Sequence, residues 1–221
     1  MEGRIPTGIL LALTNCNDPS REEEFNKWYD EYHLPDLQST GLLSNAQRFV
    51  STDPQTGQPK YVAIYETFAE DMAKAREDFA ALRAKVFASD RMTDLGDMVA
   101  WGIFQGIYST STGEASKGVK GLLINSQNSK DTARDQEFSD WYSNIHVPDV
   151  LGSGLYHTVY RYQNDEPGDV LGKFINVYET HLDPAEASEG LRGERSKWEA
   201  LGHMNDLLEI KFRAVVRPVH P

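Results

Sequence analysis

The stretch FNKWYDEYHLPDL, Phe25–Leu37, returns as FSDWYSNIHVPDV at Phe138–Val150. Both copies hold Phe, Trp-Tyr, His and Pro-Asp at one spacing. His33 and His146 lie 113 positions apart. The same interval joins Gly8 to Gly121, Trp28 to Trp141, Gly41 to Gly154, Arg48 to Arg161 and Tyr65 to Tyr178. It also carries YET at 65–67 onto YET at 178–180. A constant interval means no net insertion between these landmarks. So long a period suits a small domain rather than a solenoid unit. The sequence therefore predicts a tandem duplication with units at 1–110 and 119–221. The polar STSTGEASKG (109–118) joins them, with the composition of a linker.

Each unit reads alike. TGILLALT (7–14) and KGLLINSQ (120–127) are apolar opening strands. SREEEF (20–25) and ARDQEF (133–138) begin helices with acidic residues that complement the helix dipole. Phe25, Trp28, Tyr29 and Tyr32 fall on one helical face. Pro35 and Pro148 predict a helix end near each His. SNAQRFVS (44–51) and HTVYRYQN (157–164) alternate as strands do. The turn-rich TDPQTGQPK (52–60) and NDEPGDVLGK (164–173) lead into YVAIYET (61–67) and FINVYET (174–180). Second helices cover 69–87 and 184–201, and last strands cover 97–107 and 207–219. The order is β-α-β-β-α-β twice, an α+β chain of two ferredoxin-like units. Such a unit covers one sheet face with helices and leaves the other bare. Two units in one chain, packed sheet to sheet as a pseudo-dimeric α/β barrel, cover both.

The 221 residues carry a formal net charge of −12. That charge repels phosphate backbones and anionic lipid surfaces, which argues against nucleic-acid and membrane partners. A small neutral or apolar ligand remains compatible. Cys16 is the single cysteine, so an intrachain disulfide and a Cys-based zinc cluster are both out of reach. GILLAL (8–13) is too short to span a membrane. It lacks a basic leader and reads as a buried strand, which points to the cytoplasm.

EFNKWYDEYHLPDL, GLLSNAQRF and YVAIYET together resemble the dimeric α/β-barrel superfamily, near its EthD-like members. The resemblance covers essentially the whole chain, once per half. It implies one of several chemistries: cofactor-free monooxygenase, polyketide cyclase, lactone isomerase, dehydratase or haem-binding enzyme. It also implies a ligand pocket between helices and sheet within each unit, rather than inside the barrel.

His33 and His146 are the first candidates for acid–base work, since imidazole titrates near neutrality. The structural alternative is a helix-end cap. Asp36 and Asp149 either orient the His or cap a following turn. Tyr29 and Tyr142 could donate to a substrate oxygen. Trp28, Trp141 and Tyr32 either pack or border a pocket. Arg48 and Arg161 either bind an anionic group or form cross-strand ion pairs with Glu66 and Glu179. Tyr65 and Tyr178, on the opposite face from those glutamates, line a pocket or the intersheet core. Asp30 and Glu31 beside His33 are expected to raise its pKa and favour a general acid, whereas His146 stays neutral more easily. His203 resembles an axial haem ligand in position, with Asp90 as its counterpart. A surface histidine is the plainer reading. His157 and His181 suggest no partners.

The chain lacks G-x-G-x-x-G, Walker A, G-x-S-x-G and H-E-x-x-H signatures. The leading expectation is a cofactor-independent, metal-free enzyme acting on a small apolar, aromatic or polyketide-like molecule. Proton transfer by His33 or His146 would drive cyclisation, isomerisation or dehydration. A cofactor-free monooxygenase is the enzymatic alternative. A non-catalytic hydrophobic-ligand or stress-response module is the alternative of another class. A homodimer of the fused barrel is also compatible with the sequence.

Overall fold

The computed structural model describes residues 1–53, 58–87 and 92–220. The first half contains β1 (Gly8–Cys16), α1 (Glu22–Trp28), a π-helical turn (Tyr29–His33), α2 (Leu34–Gln38), β2 (Asn45–Ser51), β3 (Tyr61–Thr67), α3 (Met72–Phe87) and β4 (Gly96–Ser111). The second contains β5 (Gly121–Ser129), α4 (Asp135–Trp141), a π-helical turn (Tyr142–His146), α5 (Val147–Gly152), β6 (Thr158–Gln163), β7 (Phe174–Thr180), α6 (Pro184–Gly193), α7 (Arg195–Ala200) and β8 (Leu208–Pro218). Part of the turn read at 52–60 lies outside the described residues.

The strands close into one antiparallel barrel in the order β1-β3-β2-β8-β5-β7-β6-β4. The halves join edge to edge, β2 with β8 and β4 with β6. Closure removes the edges that each four-stranded sheet would otherwise expose. The bare face of each sheet becomes the barrel interior. There Ile9, Leu11, Val62 and Ile64 meet Leu122, Ile124, Ile175 and Val177 in one buried cluster. Alternate residues point outward to the helices. Ala12, Tyr61, Ala63 and Tyr65 pack with Phe25, Tyr29 and Phe79 in the first half.

The glycines of the opening strands mark close approaches. A Cβ at Gly8 would meet the Phe104 carbonyl oxygen at 2.7 Å, and one at Gly121 the Val216 carbonyl oxygen at 2.6 Å. Gly41 and Gly154 hold φ of +73° and +74° just beyond α2 and α5, where side chains are disfavoured.

The structure overturns one expectation. Each helix runs on through its proline into α2 or α5 instead of ending near the His. The π-helical turn is the reason. The Leu34 N–H donates to the Tyr29 carbonyl five residues back, and Val147 does the same to Tyr142. The widened turn restarts the helix. Pro35 and Pro148 then sit in the first turn of a new α segment, where a missing N–H costs little.

One further device shapes the site. Leu13 faces Ala100 across the β1–β4 ladder, but Thr14 faces Met98, so Val99 is the extra residue of a bulge. Met98 and Trp101 thereby both reach the helix-covered side. The β5–β8 ladder shifts at the matching place, between Ser126 and Gln127. Among the described residues no helix is long and apolar enough to cross a membrane.

Candidate functional site

A cavity of about 110 Å³ lies between the helices and the outer face of the first-half sheet. β1 supplies Leu10, Ala12 and Thr14 to its wall, and α1 with its π turn supplies Phe25, Trp28, Tyr29 and His33. Tyr65, Phe79, Leu82, Arg83, Met98 and Trp101 also line it. The wall is largely apolar, and the exposed Arg83 and Met98 mark its solvent side.

Four residues singled out in the sequence therefore meet here: Trp28, Tyr29, His33 and Tyr65. Tyr32 does not join them. It is 44% exposed and borders an adjoining surface hollow with Glu24 and Lys27, on the other side of Trp28, Met92 and Thr93. The π turn explains this. Its wider winding brings His33, four residues after Tyr29, onto the inward face and leaves Tyr32 outside.

The His33 ring stacks on Trp28, with centroids 4.9 Å apart and planes 27° apart. It meets the Tyr29 ring edge-on at 4.7 Å. Aromatic walls thus fix the imidazole. No hydrogen bond from a described residue holds either ring nitrogen, so Asp36 does not orient it as a triad carboxylate would. The expectation of a raised pKa is also overturned. Burial first and the Arg48 guanidinium second, opposed by Asp36, lower the His33 pKa to about 4. Asp30, the neighbour expected to raise it, is turned towards Arg48 and His220 instead. It accepts from Arg48 Nη1 at 3.0 Å and lies 2.8 Å from His220 Nε2. His33 is thus neutral at physiological pH, a base rather than an acid.

Tyr29 and Tyr65 hydroxyls lie 2.8 Å apart in the buried wall. One proton bridges the pair, and the other can be offered to a ligand oxygen. Burial raises both pKa values, so both phenols stay protonated as donors.

The arginines serve the framework. Arg48 lies across from Ala63 on the helix-facing side, whereas Glu66 is paired with Asn45 and faces the other way. The expected Arg48–Glu66 pair is therefore absent. Arg48 binds Asp30 and Asn26 (2.8 Å) and lies 4.0 Å over the Tyr29 ring. Glu66 instead accepts from Arg4 Nε and Nη2, at 2.8 and 2.9 Å. Arg161 does not meet Glu179 either. Its Nε donates to Asn176 at 2.9 Å, and its Nη1 donates to the Ser139 carbonyl at 2.9 Å and to Ser143 Oγ. Glu179 accepts from the backbone nitrogens of Met1 and Glu2.

The second half builds the same aromatic frame and fills it. His146 stacks on Trp141 at 5.3 Å and meets Tyr142 edge-on at 4.7 Å. Trp198 closes over it edge-on at 5.7 Å. Where the first half has Ala12, Thr14, Leu43 and Ala63, the second has Asn125, Gln127, Tyr156 and Asn176, all buried. Gln127 Nε2 and Tyr178 both donate to the Tyr142 hydroxyl, at 3.3 and 3.0 Å. Burial also lowers the His146 pKa to about 4, against the opposing Asp149. Asp149 pairs with His203 Nδ1 at 2.9 Å rather than with the His146 ring. Asp90, the sequence counterpart of His203, lies outside the described residues. His157 and His181, unassigned from the sequence, stack at 5.8 Å. Among the described residues no group of three or more His, Cys, Asp or Glu is arranged to hold a metal ion.

Sequence reasoning passed over Ala12, Thr14, Phe79, Arg83, Met98 and Trp101. The alternation of β1 marks Ala12 and Thr14 as sharing the Leu10 face. The bulge that brings Met98 beside Trp101 leaves no sequence signal of that kind.

No protein-family model matches the chain. Core atranone cluster protein 1 of Stachybotrys chlorohalonatus is 35% identical over 97 residues, which is 43% of this chain and 36% of that protein. The match thus spans about a third of the length of that curated relative. Solved structures match over nearly the whole chain. A chlorite dismutase variant from Candidatus Nitrospira defluvii superposes with a TM-score of 0.63 at 12% identity, covering 97% of this chain and 92% of that one. A Fusobacterium nucleatum protein assigned as a monooxygenase gives 0.60 at 10% identity, covering 98% and 94%. An anthrone oxidase-like protein gives 0.59 at 11% identity, with the same coverage. With its closed eight-stranded barrel and outer helices, the chain has the dimeric α/β-barrel fold.

Proposed function

We propose that the chain is an enzyme in which His33 removes a proton from a small, largely apolar substrate held in the first-half cavity. The substrate is aromatic or polyketide-like. The observation that carries this reading is the convergence of a neutral imidazole and a tyrosine hydroxyl pair on one apolar cavity. His33 takes a proton from a carbon next to a carbonyl. The electron pair moves to the carbonyl oxygen, which accepts a hydrogen bond from the Tyr29–Tyr65 pair. Low surrounding polarity strengthens that bond as charge develops on oxygen. Return of the proton at another atom completes an isomerisation, and loss of a β-hydroxyl as water completes a dehydration.

On this reading the repeats at 1–110 and 119–221 have diverged. The first keeps its cavity, and the second has turned the same frame into core. A carrier would need only the apolar wall, so the convergent His–Tyr–Tyr set favours turnover. A cofactor-free monooxygenase shares the proton abstraction and departs from it when molecular oxygen meets the carbanion. The Trp28 face beside His33 supports that branch. The atranone-cluster relative supports a secondary-metabolite substrate.

The test is untargeted metabolite profiling of producing cells with and without the gene, followed by reaction of the accumulated compound in D2O. Solvent deuterium should enter at carbon with the wild-type chain and not with His33→Gln. Equal deuterium incorporation by both proteins would refute the proposal.

A further inference from the structure

Thr14 is a polar residue in this apolar wall without a structural use. It is 4% exposed, and its Oγ1 is buried without a hydrogen-bond partner among the described residues. A buried hydroxyl left in that state costs stability, and a valine would fill the same volume without the cost. The residue sits at the β1–β4 bulge, paired with Tyr61 on one side and Met98 on the other. Met98 lines the same cavity. The second half shows the satisfied counterpart. Gln127 donates to Tyr142, and its Oε1 accepts from Asn176 Nδ2 at 3.1 Å. At this position the polar group is engaged in the filled frame and unengaged in the open one; elsewhere in the filled frame Asn125 Oδ1 and the Tyr156 hydroxyl also lack partners among the described residues.

We propose that Thr14 Oγ1 anchors an oxygen of the ligand, so that the cavity selects compact aromatic or polyketide-like molecules with two oxygen functions. One oxygen meets Thr14. The other meets the Tyr29–Tyr65 pair beside His33. A threonine hydroxyl both donates and accepts, so a phenol, an alcohol or a ketone fits at that end. This inference rests on the reading that the cavity holds a substrate, and it adds what that substrate must carry.

The experiment uses benzene, phenol and the three dihydroxybenzenes as probes. Their binding is followed by tryptophan fluorescence, since Trp28 and Trp101 line the wall. In Thr14→Val the best-bound dihydroxybenzene should weaken about fivefold, the scale of one hydrogen bond. Benzene affinity should hold or improve, and the ligand-free variant should melt higher than wild type. Three results overturn the proposal: equal weakening of benzene, unchanged affinity for every hydroxylated probe, or a lower melting temperature. These readouts do not depend on turnover. A Thr14-dependent affinity with His33→Gln fully active would sink the catalytic reading alone.

Discussion

Acidification should destabilise the folded chain through its two neutral histidines. A histidine in the unfolded chain binds its proton near pH 6.5, whereas burial holds His33 and His146 down to about 4 in the folded state. Above pH 6.5 both states are neutral at these sites, and pH has no leverage. Between 6.5 and about 4 only the unfolded chain takes up the protons, so stability falls as pH falls. Below about 4 both states are charged and the loss levels off. The displacement from 6.5 to about 4 amounts to at most about 3 kcal/mol for each residue. Solvent screening of these half-buried rings reduces this to roughly 1–2 kcal/mol. Urea denaturation across this range measures the slope for wild type, His33→Gln and His146→Gln. Each variant should lose one histidine's share of the slope, so its stability relative to wild type should improve as pH falls. Identical slopes for all three chains would refute the burial argument. So would imidazole C–H resonances assigned to His33 and His146 that titrate near 6.5 by NMR.

Three further outcomes follow from the same geometry. Trp198→Ala should cost about 3–5 kcal/mol in thermal or chemical denaturation by opening a void beside His146, and added indole should restore part of the loss. Tyr65→Phe should fold normally but lose about tenfold or more in turnover, because the Tyr29 hydroxyl would donate alone, without the bond to Tyr65 that positions it. Arg161→Ala should cost about 2 kcal/mol, since the buried Asn176 Oδ1 would lose its Arg161 donor.

The fold was legible because its demands fall on single residues at fixed spacing. Gly8 and Gly121 stand where a Cβ would strike a neighbouring carbonyl oxygen, and Gly41 and Gly154 where φ is positive. The Trp-Tyr-His frame recurs because both halves need the same aromatic packing under the helix. Two features were hidden, and a third showed only in part. The helix outlasts its prolines because a π turn intervenes, and a turn that depends on tertiary packing has no periodic signature. The ion pair of Arg48 with Glu66, one of two expectations for this arginine, fails because register puts the two on opposite sheet faces. The inequality of the halves was legible in part. Ala12, Thr14 and Ala63 against Asn125, Gln127 and Asn176 already state which side has room. Trp198, which closes the second frame, comes from a helix whose sequence diverges from α3. Its position matches Lys85 by the common interval.

The central claim is that the first-half cavity works through His33 while the second half is framework. Turnover of the compound found by metabolite profiling, measured for His33→Gln and His146→Gln with melting curves for both, tests it most directly. The account predicts that His33→Gln stays folded and loses turnover, while His146→Gln keeps it. Full activity in a folded His33→Gln, or loss confined to His146→Gln, would contradict it.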